Sequence, residues 1–295
     1  MASSSVKPQI FINGKTRSDG LVPCFHPEEQ ISVFESIRSY GGRIFRLDEH
    51  LNRLFSSAKT AGLKLAKSRA QLKKEIKSCL THWKGSDCFI RLTVDSNNSY
   101  IFLLNRKRPP FIYETGLSLK TIVTRRTLTS ASPPEVKSNA FFNCVLAAME
   151  LEAGPAGETA AKQSLETAAK QSSQTIEAIF LDANGYVTEA ASWNIFMVKA
   201  GEVRTPQTGF LNGITREFVI ECARKERLPV FETTLTRHDL WNADEVFLTN
   251  TSGEIAPVRS LDGRLIGKHI PGPVTNRLMS RFRRELEKEL NEHED

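Results

Sequence analysis

Two short segments combine small or hydroxyl residues with positions where backbone N–H groups would be exposed. Residues 211–216 (Leu-Asn-Gly-Ile-Thr-Arg) directly precede a predicted helix, so Gly213, Ile214 and Thr215 could offer amides and a hydroxyl to a phosphate. Residues 250–253 (Asn-Thr-Ser-Gly) end a predicted strand and could form a similar anion-binding turn. Either segment alone is more typical of an ordinary helix cap or turn. Together they permit a phosphorylated ligand.

The elements that would position these segments mix strands and helices in both halves of the chain. In the first half, short apolar runs predict strands at 9–13, 43–46, 88–95 and 99–104. Apolar residues at helical spacing predict a helix that runs to about Gly62, with Asp48 as its N-cap, and a second helix from Ser68 to about Trp83. This order favours an α+β arrangement with hairpins over a βαβ series.

The second half is predicted to be α+β as well. Strands are expected at 116–125, 176–181, 186–189, 194–198, 229–234, 245–250 and 254–258. Asn184-Gly185, between two apolar runs, is a strong hairpin signal. Helices are expected at 143–151, 215–227 and 273–291.

These elements suggest two domains. The polar, proline-interrupted stretch around 106–110 marks the boundary, so we predict a small N-terminal domain at 1–108, a linker at 109–115 and a large C-terminal domain at 116–295. Residues 158–164 recur unchanged at 166–172, and we expect 155–175 to be a helical or disordered insertion.

The composition is that of an ordinary globular protein. Of the 295 residues, 40% are hydrophobic and 25% are charged, and the formal net charge is +6. This small basic excess, without a basic stripe interleaved with aromatics, argues against nucleic-acid binding. The absence of a long apolar run or a signal-peptide core predicts a cytoplasmic protein without a membrane partner. The five cysteines are too scattered for a disulfide framework, and no spacing indicates a metal site.

Six segments then form an ordered set of motifs. They are 33–38 (Val-Phe-Glu-Ser-Ile-Arg), 46–54 (Arg-Leu-Asp-Glu-His-Leu-Asn-Arg-Leu), 136–138 (Val-Lys-Ser), 185–196 (Gly-Tyr-Val-Thr-Glu-Ala-Ala-Ser-Trp-Asn-Ile-Phe), 211–216 and 247–254. In this order they closely resemble the fold-type IV pyridoxal-phosphate enzymes, notably the branched-chain aminotransferases. The resemblance covers roughly residues 8–285 and implies a two-domain α+β fold of the D-amino acid/branched-chain aminotransferase type. It also implies pyridoxal 5'-phosphate between the domains, small amino acid and 2-oxo acid substrates, and a homodimer.

The resemblance assigns cofactor roles that chemistry can justify. Lys137 would be the catalytic residue, because its amine can form a Schiff base with the aldehyde cofactor and later act as the base that moves a proton. Glu189 would pair with the pyridine nitrogen and keep it protonated. Arg53 would supply charge-assisted hydrogen bonds to the phosphate. Gly213, Ile214, Thr215 and Thr251 would complete the phosphate cup.

The resemblance also implies a substrate pocket. The turn at Ser252 and Gly253 would receive a substrate carboxylate, and the pocket-side candidates are Phe34, Arg38, Phe89 and Arg91. Arg91 could instead pair with an acid such as Glu35.

The pocket departs from the usual branched-chain pattern. The segment before Phe34 reads Pro-Glu-Glu-Gln-Ile-Ser and lacks a pocket tyrosine, and Asn139-Ala140-Phe141 stands where the family often has Asn-Tyr. Ser36 replaces a usual glycine, and Phe89 replaces a third tyrosine. The volume and polarity of the pocket are therefore altered.

These departures leave other reactions open. The nearest is that of aminodeoxychorismate lyase, which shares the cofactor but eliminates pyruvate, although the Arg38 and Leu-Asp-Glu-His context favours an aminotransferase. Transamination of D-amino acids or R-amines is a further option, because stereochemistry depends on which side of the pocket takes the carboxylate. A branched-chain-like donor is favoured here.

Overall fold

The computed structural model describes residues 7–17, 31–106, 108–127, 133–140, 142–152 and 176–292. The chain divides into two compact units. The first contains residues 1–107, 135–140 and 286–295, and the second contains 108–134 and 141–285. The predicted repeat insertion at 155–175 lies outside the described residues.

The first unit is built on a six-stranded antiparallel sheet with the strand order β2-β1-β6-β5-β3-β4. Its strands are β1 Gln9–Ile12, β2 Lys15–Thr16, β3 Val33–Tyr40, β4 Arg43–Ile44, β5 Cys88–Val94 and β6 Ser99–Leu104. Its helices are α1 Leu47–Thr60 and α2 Arg69–Leu80. Alternate residues of β3 face the two helices, so Val33, Glu35 and Ile37 are completely buried on that side.

The two helices of this unit begin in different ways. At α2, Ser68 caps the helix in a capping box with Gln71, as its residue type favours. At α1 the N-cap is Arg46, in the left-handed conformation and without a side-chain cap, so the prediction of Asp48 as N-cap is wrong. Asp48 lies in the first turn instead and accepts hydrogen bonds from Lys73.

The second unit contains a mixed sheet of nine strands with the order β12-β11-β10-β13-β14-β7-β8-β9, and β15 pairs with β14. Its strands are β7 Leu117–Thr121, β8 Ile176–Leu181, β9 Val187–Ala190, β10 Asn194–Lys199, β11 Glu202–Pro206, β12 Val230–Thr233, β13 Glu245–Asn250, β14 Glu254–Leu261 and β15 Arg264–Leu265. Its helices are α3 Phe111–Thr115, α4 Phe142–Glu152, α5 Ile214–Lys225 and α6 Arg237–Trp241, followed by α7 Pro273–Glu292. The division between the units falls within α7.

This division differs from the predicted domains in three stretches. Residues 135–140 and 286–295 belong to the first unit, although both were expected in the domain at 116–295. Most of the expected linker at 109–115 forms α3, and Ile112 is buried in the core of the second unit. All three differences arise from long-range packing that local patterns do not encode. Among the described residues, none of the helices is both long and apolar enough to cross a membrane.

Candidate active site

Lys137 lies on a segment whose backbone forms hydrogen bonds with two elements of the first unit. The Lys137 carbonyl accepts a hydrogen bond from the Phe34 N–H at 2.9 Å, and the Asn139 N–H donates to the Ser32 carbonyl at 3.0 Å. On the other side, the Lys137 N–H donates to Ser57 Oγ on α1 at 3.0 Å. The segment therefore pairs with the start of β3, and its backbone is held by the helix as well as by the sheet.

The side chain of Lys137 lies beside an aromatic wall. Its Nζ is 4.7 Å from the centroid of the Phe34 ring, and the guanidinium carbon of Arg91 is 3.3 Å from the same centroid. Burial, together with the charge of Arg106, lowers the pKa of Arg91 to about 10. The structure thus brings together three of the predicted site residues.

The other pocket-side candidates share a face of the sheet with Phe34. In the β3–β5 ladder, Arg38 is opposite Phe89 and Ser36 is opposite Arg91. Residues opposite each other or two apart on a strand project from the same face, so Arg38, Phe89 and Arg91 share the face of Phe34. Arg38 also forms an ion pair with Asp87, with 3.2 Å between Nη2 and Oδ2.

Arg53 is held by a buried carboxylate on the opposite face of β3. Its Nε and Nη2 donate to Glu35 at 2.7 and 2.6 Å, and His50 Nδ1 lies 2.8 Å from Glu35 Oε2. Glu35 is therefore the partner of Arg53 and His50. Arg91, offered as its partner on sequence grounds, forms no ion pair with it in the described part of the chain.

Glu189 occupies a comparable network in the second unit. Its Oε1 is 2.8 Å from Arg126 Nη2, and its Oε2 accepts a hydrogen bond from the Leu211 N–H at 3.1 Å. Asn194 Nδ2 donates to the Leu211 carbonyl at 2.8 Å and reaches Glu189 Oε2 at 3.5 Å. The carboxylate is 6% exposed, and these contacts link it to residues 211–216, the predicted phosphate loop.

The phosphate loop leads directly into α5. Gly213 is the N-cap residue and has no side chain to cap the helix, so no cap side chain engages the first amides, at Ile214 and Thr215. A Cβ on Gly213 would lie 2.1 Å from Asn194 Oδ1, which explains why this position needs glycine. Arg216 is buried behind the loop and bonds to the Pro206 carbonyl at 3.1 Å. These contacts hold the loop in place, and its amides lie at the positive end of the α5 helix dipole.

The second predicted turn is ordered by its own asparagine. Asn250 Oδ1 accepts hydrogen bonds from the Gly253 N–H at 2.7 Å and from Ser252 Oγ at 3.2 Å. Arg108 Nε donates to Ser252 Oγ at 3.3 Å. A Cβ on Gly253 would lie 2.1 Å from the Trp193 ring. Asn250 thus already engages one of the amides that we expected to receive a substrate carboxylate.

Sequence reasoning missed several residues that hold these groups. They are His50, Ser57, Arg108, Arg126 and Asn194, and Glu35 was considered only as a partner of Arg91. His50, Arg53 and Ser57 stand at positions i, i+3 and i+7 of α1, so one helix face was a readable signal. The partners of Glu189 are distant in sequence, and no local pattern indicated Arg126. In the described part of the chain, no group of three His, Cys, Asp or Glu side chains could hold a metal ion.

Known proteins are similar to this chain over most of its length. The family model described as amino-transferase class IV matches residues 32–261. The branched-chain-amino-acid aminotransferase of Pseudomonas aeruginosa is 30% identical over 273 residues, which cover 85% of this chain and 83% of that protein.

Solved structures give the same result. The branched-chain aminotransferase of Thermoproteus uzoniensis with norvaline has a TM-score of 0.77 at 28% identity, covering 97% of this chain and 96% of the other. The T.th. branched-chain amino acid aminotransferase complexed with N-(5'-phosphopyridoxyl)-L-glutamate has a TM-score of 0.79 at 27% identity, covering 96% of this chain and 94% of the other. The predicted fold class is confirmed by these likenesses.

Proposed function

The chain belongs to the class IV aminotransferases, and from this premise we propose that it holds pyridoxal 5'-phosphate through Lys137 and favours a branched-chain-like amino donor. The observation that carries the proposal is the double anchoring of the Lys137 backbone, by β3 and by Ser57, with its amine beside Phe34. A lysine that is merely exposed to solvent does not need its backbone held by two sets of hydrogen bonds.

The chemistry of the donor set fits this cofactor. An aldehyde requires an amine, a pyridine nitrogen requires an acid, and a phosphate requires cations and amides. In the first unit, Lys137 supplies the amine and Arg53 supplies a cation. In the second unit, Glu189 supplies the acid and the start of α5 supplies the amides. Gly213 has no Cβ, so its own side chain does not obstruct approach to those amides.

When bound, the cofactor supplies an aldehyde that links to amines and a ring that accepts electrons from the substrate's Cα. Lys137 holds that aldehyde at rest. The Lys137 amine, when not linked to the cofactor, would be the base that takes up and returns the proton of the substrate's Cα. Because its backbone is fixed, the Lys137 amine can reach only a small region. This restriction favours proton transfer on one face of the substrate.

Glu189 keeps the ring nitrogen protonated. Its two oxygens are oriented by Arg126 and by the Leu211 N–H, so little reorganisation is needed when charge develops. Arg53 in the first unit, and the groups at Gly213, Ile214, Thr215 and Thr251 in the second, would bind the phosphate.

The substrate residues are Phe34, Arg38, Phe89, Arg91, Ser252 and Gly253. Phe34 and Phe89 provide an apolar wall that suits a branched side chain. The guanidinium group of Arg91 forms no hydrogen bond or ion pair among the described residues and lies against Phe34. It therefore suits a substrate with a second carboxylate, such as an amino acceptor. Phe89 has no hydroxyl group, so it keeps this wall apolar.

Helix α4 supports the predicted homodimer. Phe142, Val145 and Met149 are 65%, 53% and 60% exposed, and their spacing places them along one face of the helix. A second copy of the chain would cover this apolar face.

A half-reaction screen tests the proposed function. The purified protein, loaded with the cofactor, is mixed with L-amino acids, D-amino acids, an R-amine or aminodeoxychorismate while the visible absorbance of the bound cofactor is followed. We expect branched-chain L-amino acids to bleach it most rapidly. Bleaching by D-amino acids or R-amines alone would contradict the donor assignment. Pyruvate release from aminodeoxychorismate without bleaching would contradict transamination as the reaction.

A further inference from the structure

Two buried titratable groups in the first unit have no role in the reaction so far. Glu35 is 0% exposed and His50 is 1% exposed. Glu35 accepts two hydrogen bonds from Arg53, at 2.7 and 2.6 Å, and one contact from His50, at 2.8 Å. Burying a carboxylate completely costs free energy unless its partners compensate the charge. The arrangement of the partners around Glu35 is therefore specific.

The charge states of these groups follow from their surroundings. Burial would raise the pKa of Glu35, but the charge of Arg53 and the hydrogen bonds from Arg53 and His50 hold that pKa well below its usual range. Burial, with the charges of Arg53 and Lys137, lowers the pKa of His50 despite the opposing carboxylate. His50 is therefore neutral at neutral pH and, since Glu35 can only accept, its Nδ1 carries the proton.

The contact between Glu35 and Arg53 fixes an orientation. Two parallel N–H···O bonds define the plane of the guanidinium group as well as its position. This two-bond contact, called the fork below, uses Nε and Nη2 of Arg53. Nη1 of Arg53 takes no part in it. His50 holds the carboxylate from one turn earlier on α1, and Ser57, one turn later, holds the Lys137 backbone. One face of α1 thus serves both predicted cofactor residues of this unit.

We propose that Glu35 and His50 are positioning residues that orient Arg53 toward the phosphate group of the cofactor. This role rests on the proposed function of Arg53. The simpler alternative is that Glu35 only neutralises a buried cation. The two roles predict opposite effects on phosphate binding, because a neutralising carboxylate weakens the attraction of Arg53 for an anion, whereas an orienting one strengthens it by preorganisation.

The experiment measures the dissociation constants of pyridoxal 5'-phosphate and of pyridoxal, which lacks the phosphate, by absorbance titration at neutral pH. Their ratio reports phosphate recognition and needs no turnover. The variants are Glu35→Gln, Glu35→Asp, Arg53→Gln and the double variant Glu35→Gln/Arg53→Gln. Glu75→Gln is the matched control, because Glu75 also forms an ion pair in this unit, with Lys67 at 2.6 Å, but on α2.

We expect Glu35→Gln to reduce the preference for the phosphate about tenfold, with little change in pyridoxal affinity. Glu35→Asp keeps the charge but is too short to reproduce the fork, so it should also reduce the preference. It keeps the proposal testable if Glu35→Gln does not fold. The control should match the wild type. In the Arg53→Gln background, Glu35→Gln should have no further effect, because Glu35 acts through Arg53.

Two kinds of result would overturn the proposal. An increased phosphate preference in Glu35→Gln, with Glu35→Asp unchanged, would show that Glu35 only neutralises Arg53. An equal loss with and without Arg53 would show that Glu35 acts on the whole unit. If Arg53→Gln itself left the phosphate preference unchanged, the failure would instead lie in the cofactor role assigned to Arg53.

Discussion

The two units each contain a buried glutamate paired with an arginine, and the two carboxylates differ in what remains accessible. Glu35, in the first unit, is 0% exposed and engages Arg53 through a two-bond fork together with His50. Glu189, in the second unit, is 6% exposed, contacts Arg126 through Oε1 and accepts from the Leu211 backbone through Oε2.

Under the proposed function, this difference distinguishes an acid that only positions its partners from one that meets the cofactor. A carboxylate enclosed by its partners can only hold them in place, whereas one that keeps a small accessible area can meet a ligand. Both residues are glutamates, and each is paired with an arginine. The remaining exposure and the neighbours therefore distinguish the roles, and neither can be read from a motif.

The largest effect should follow from removing the enclosed carboxylate. Glu35→Ala takes from Arg53 the carboxylate that compensates its buried charge, so we expect the free energy of unfolding to fall by about 3–5 kcal/mol. Urea unfolding monitored by circular dichroism measures the change. Glu35→Ala/Arg53→Met should recover much of the loss, since both charges are gone. If Glu35→Ala unfolds like the wild type, the two carboxylates do not differ in the proposed way.

Removing the accessible carboxylate should affect turnover instead. In Glu189→Gln we expect a loss of about 10²–10³-fold in turnover, because the ring nitrogen is no longer held protonated, with retained cofactor binding. The measurement is the steady-state rate, alongside the unfolding curve. Glu202→Gln is the matched control, since Glu202 pairs with Arg204 in the same unit at 2.6 Å but is partly exposed. Unchanged turnover in Glu189→Gln would refute its role.

A smaller effect should reveal the link between Glu189 and the phosphate loop. In Gly213→Ala, the new Cβ would meet Asn194 Oδ1 at 2.1 Å, so the loop must shift. We expect cofactor affinity to fall about tenfold, or about 1.4 kcal/mol, which lies within the usual overpacking cost of about 1–3 kcal/mol. Equilibrium titration measures the affinity, and Gly213→Ala/Asn194→Ala should restore part of it. Gly263→Ala is the control for a strained glycine without a clash. Nothing lies within 4 Å of the added Cβ, but φ is +78°, so it should lower stability and leave the affinity unchanged.

The smallest effect is a pH dependence confined to the Glu35 network. His50 has a lowered pKa in the folded chain, so the unfolded chain takes up a proton first as the pH falls below about 6.5. Stability from this residue is therefore present above that pH and is lost as the pH falls through the folded pKa. His50→Asn keeps a donor for Glu35 but cannot be protonated. We expect it to reduce the slope of unfolding free energy against pH in this window, and an unchanged slope would contradict the assignment.

Much of the fold was accessible from local patterns, because hairpins and helices are encoded by neighbouring residues. Asn184-Gly185 lies between β8 and β9 as predicted, and Ser68 caps α2. The position of Lys137 in the first unit was not predicted, because its pairing with β3 joins segments about a hundred residues apart. The left-handed start of α1 at Arg46 was missed as well, because that conformation is unusual for a residue with a side chain.

The candidate site shows the same limit. The ordered motifs identified which lysine, acid and loops to examine. For Glu35, however, the sequence offered only Arg91 as a possible partner, whereas its partners are Arg53 and His50. Residues on β3 and α1 compete for the same carboxylate, and only the direction in which each side chain projects decides between them. Pocket specificity was least accessible, because it depends on which side chains share a face.

The central claim is that Lys137 is the residue that holds the cofactor. The most direct measurement is borohydride reduction of the cofactor-loaded protein, followed by proteolysis and mass spectrometry of the labelled peptide. We predict the added mass of the reduced cofactor on Lys137 and no label at any position in Lys137→Ala. Labelling of a different lysine, or no stable label in a protein that binds the cofactor, would contradict the account.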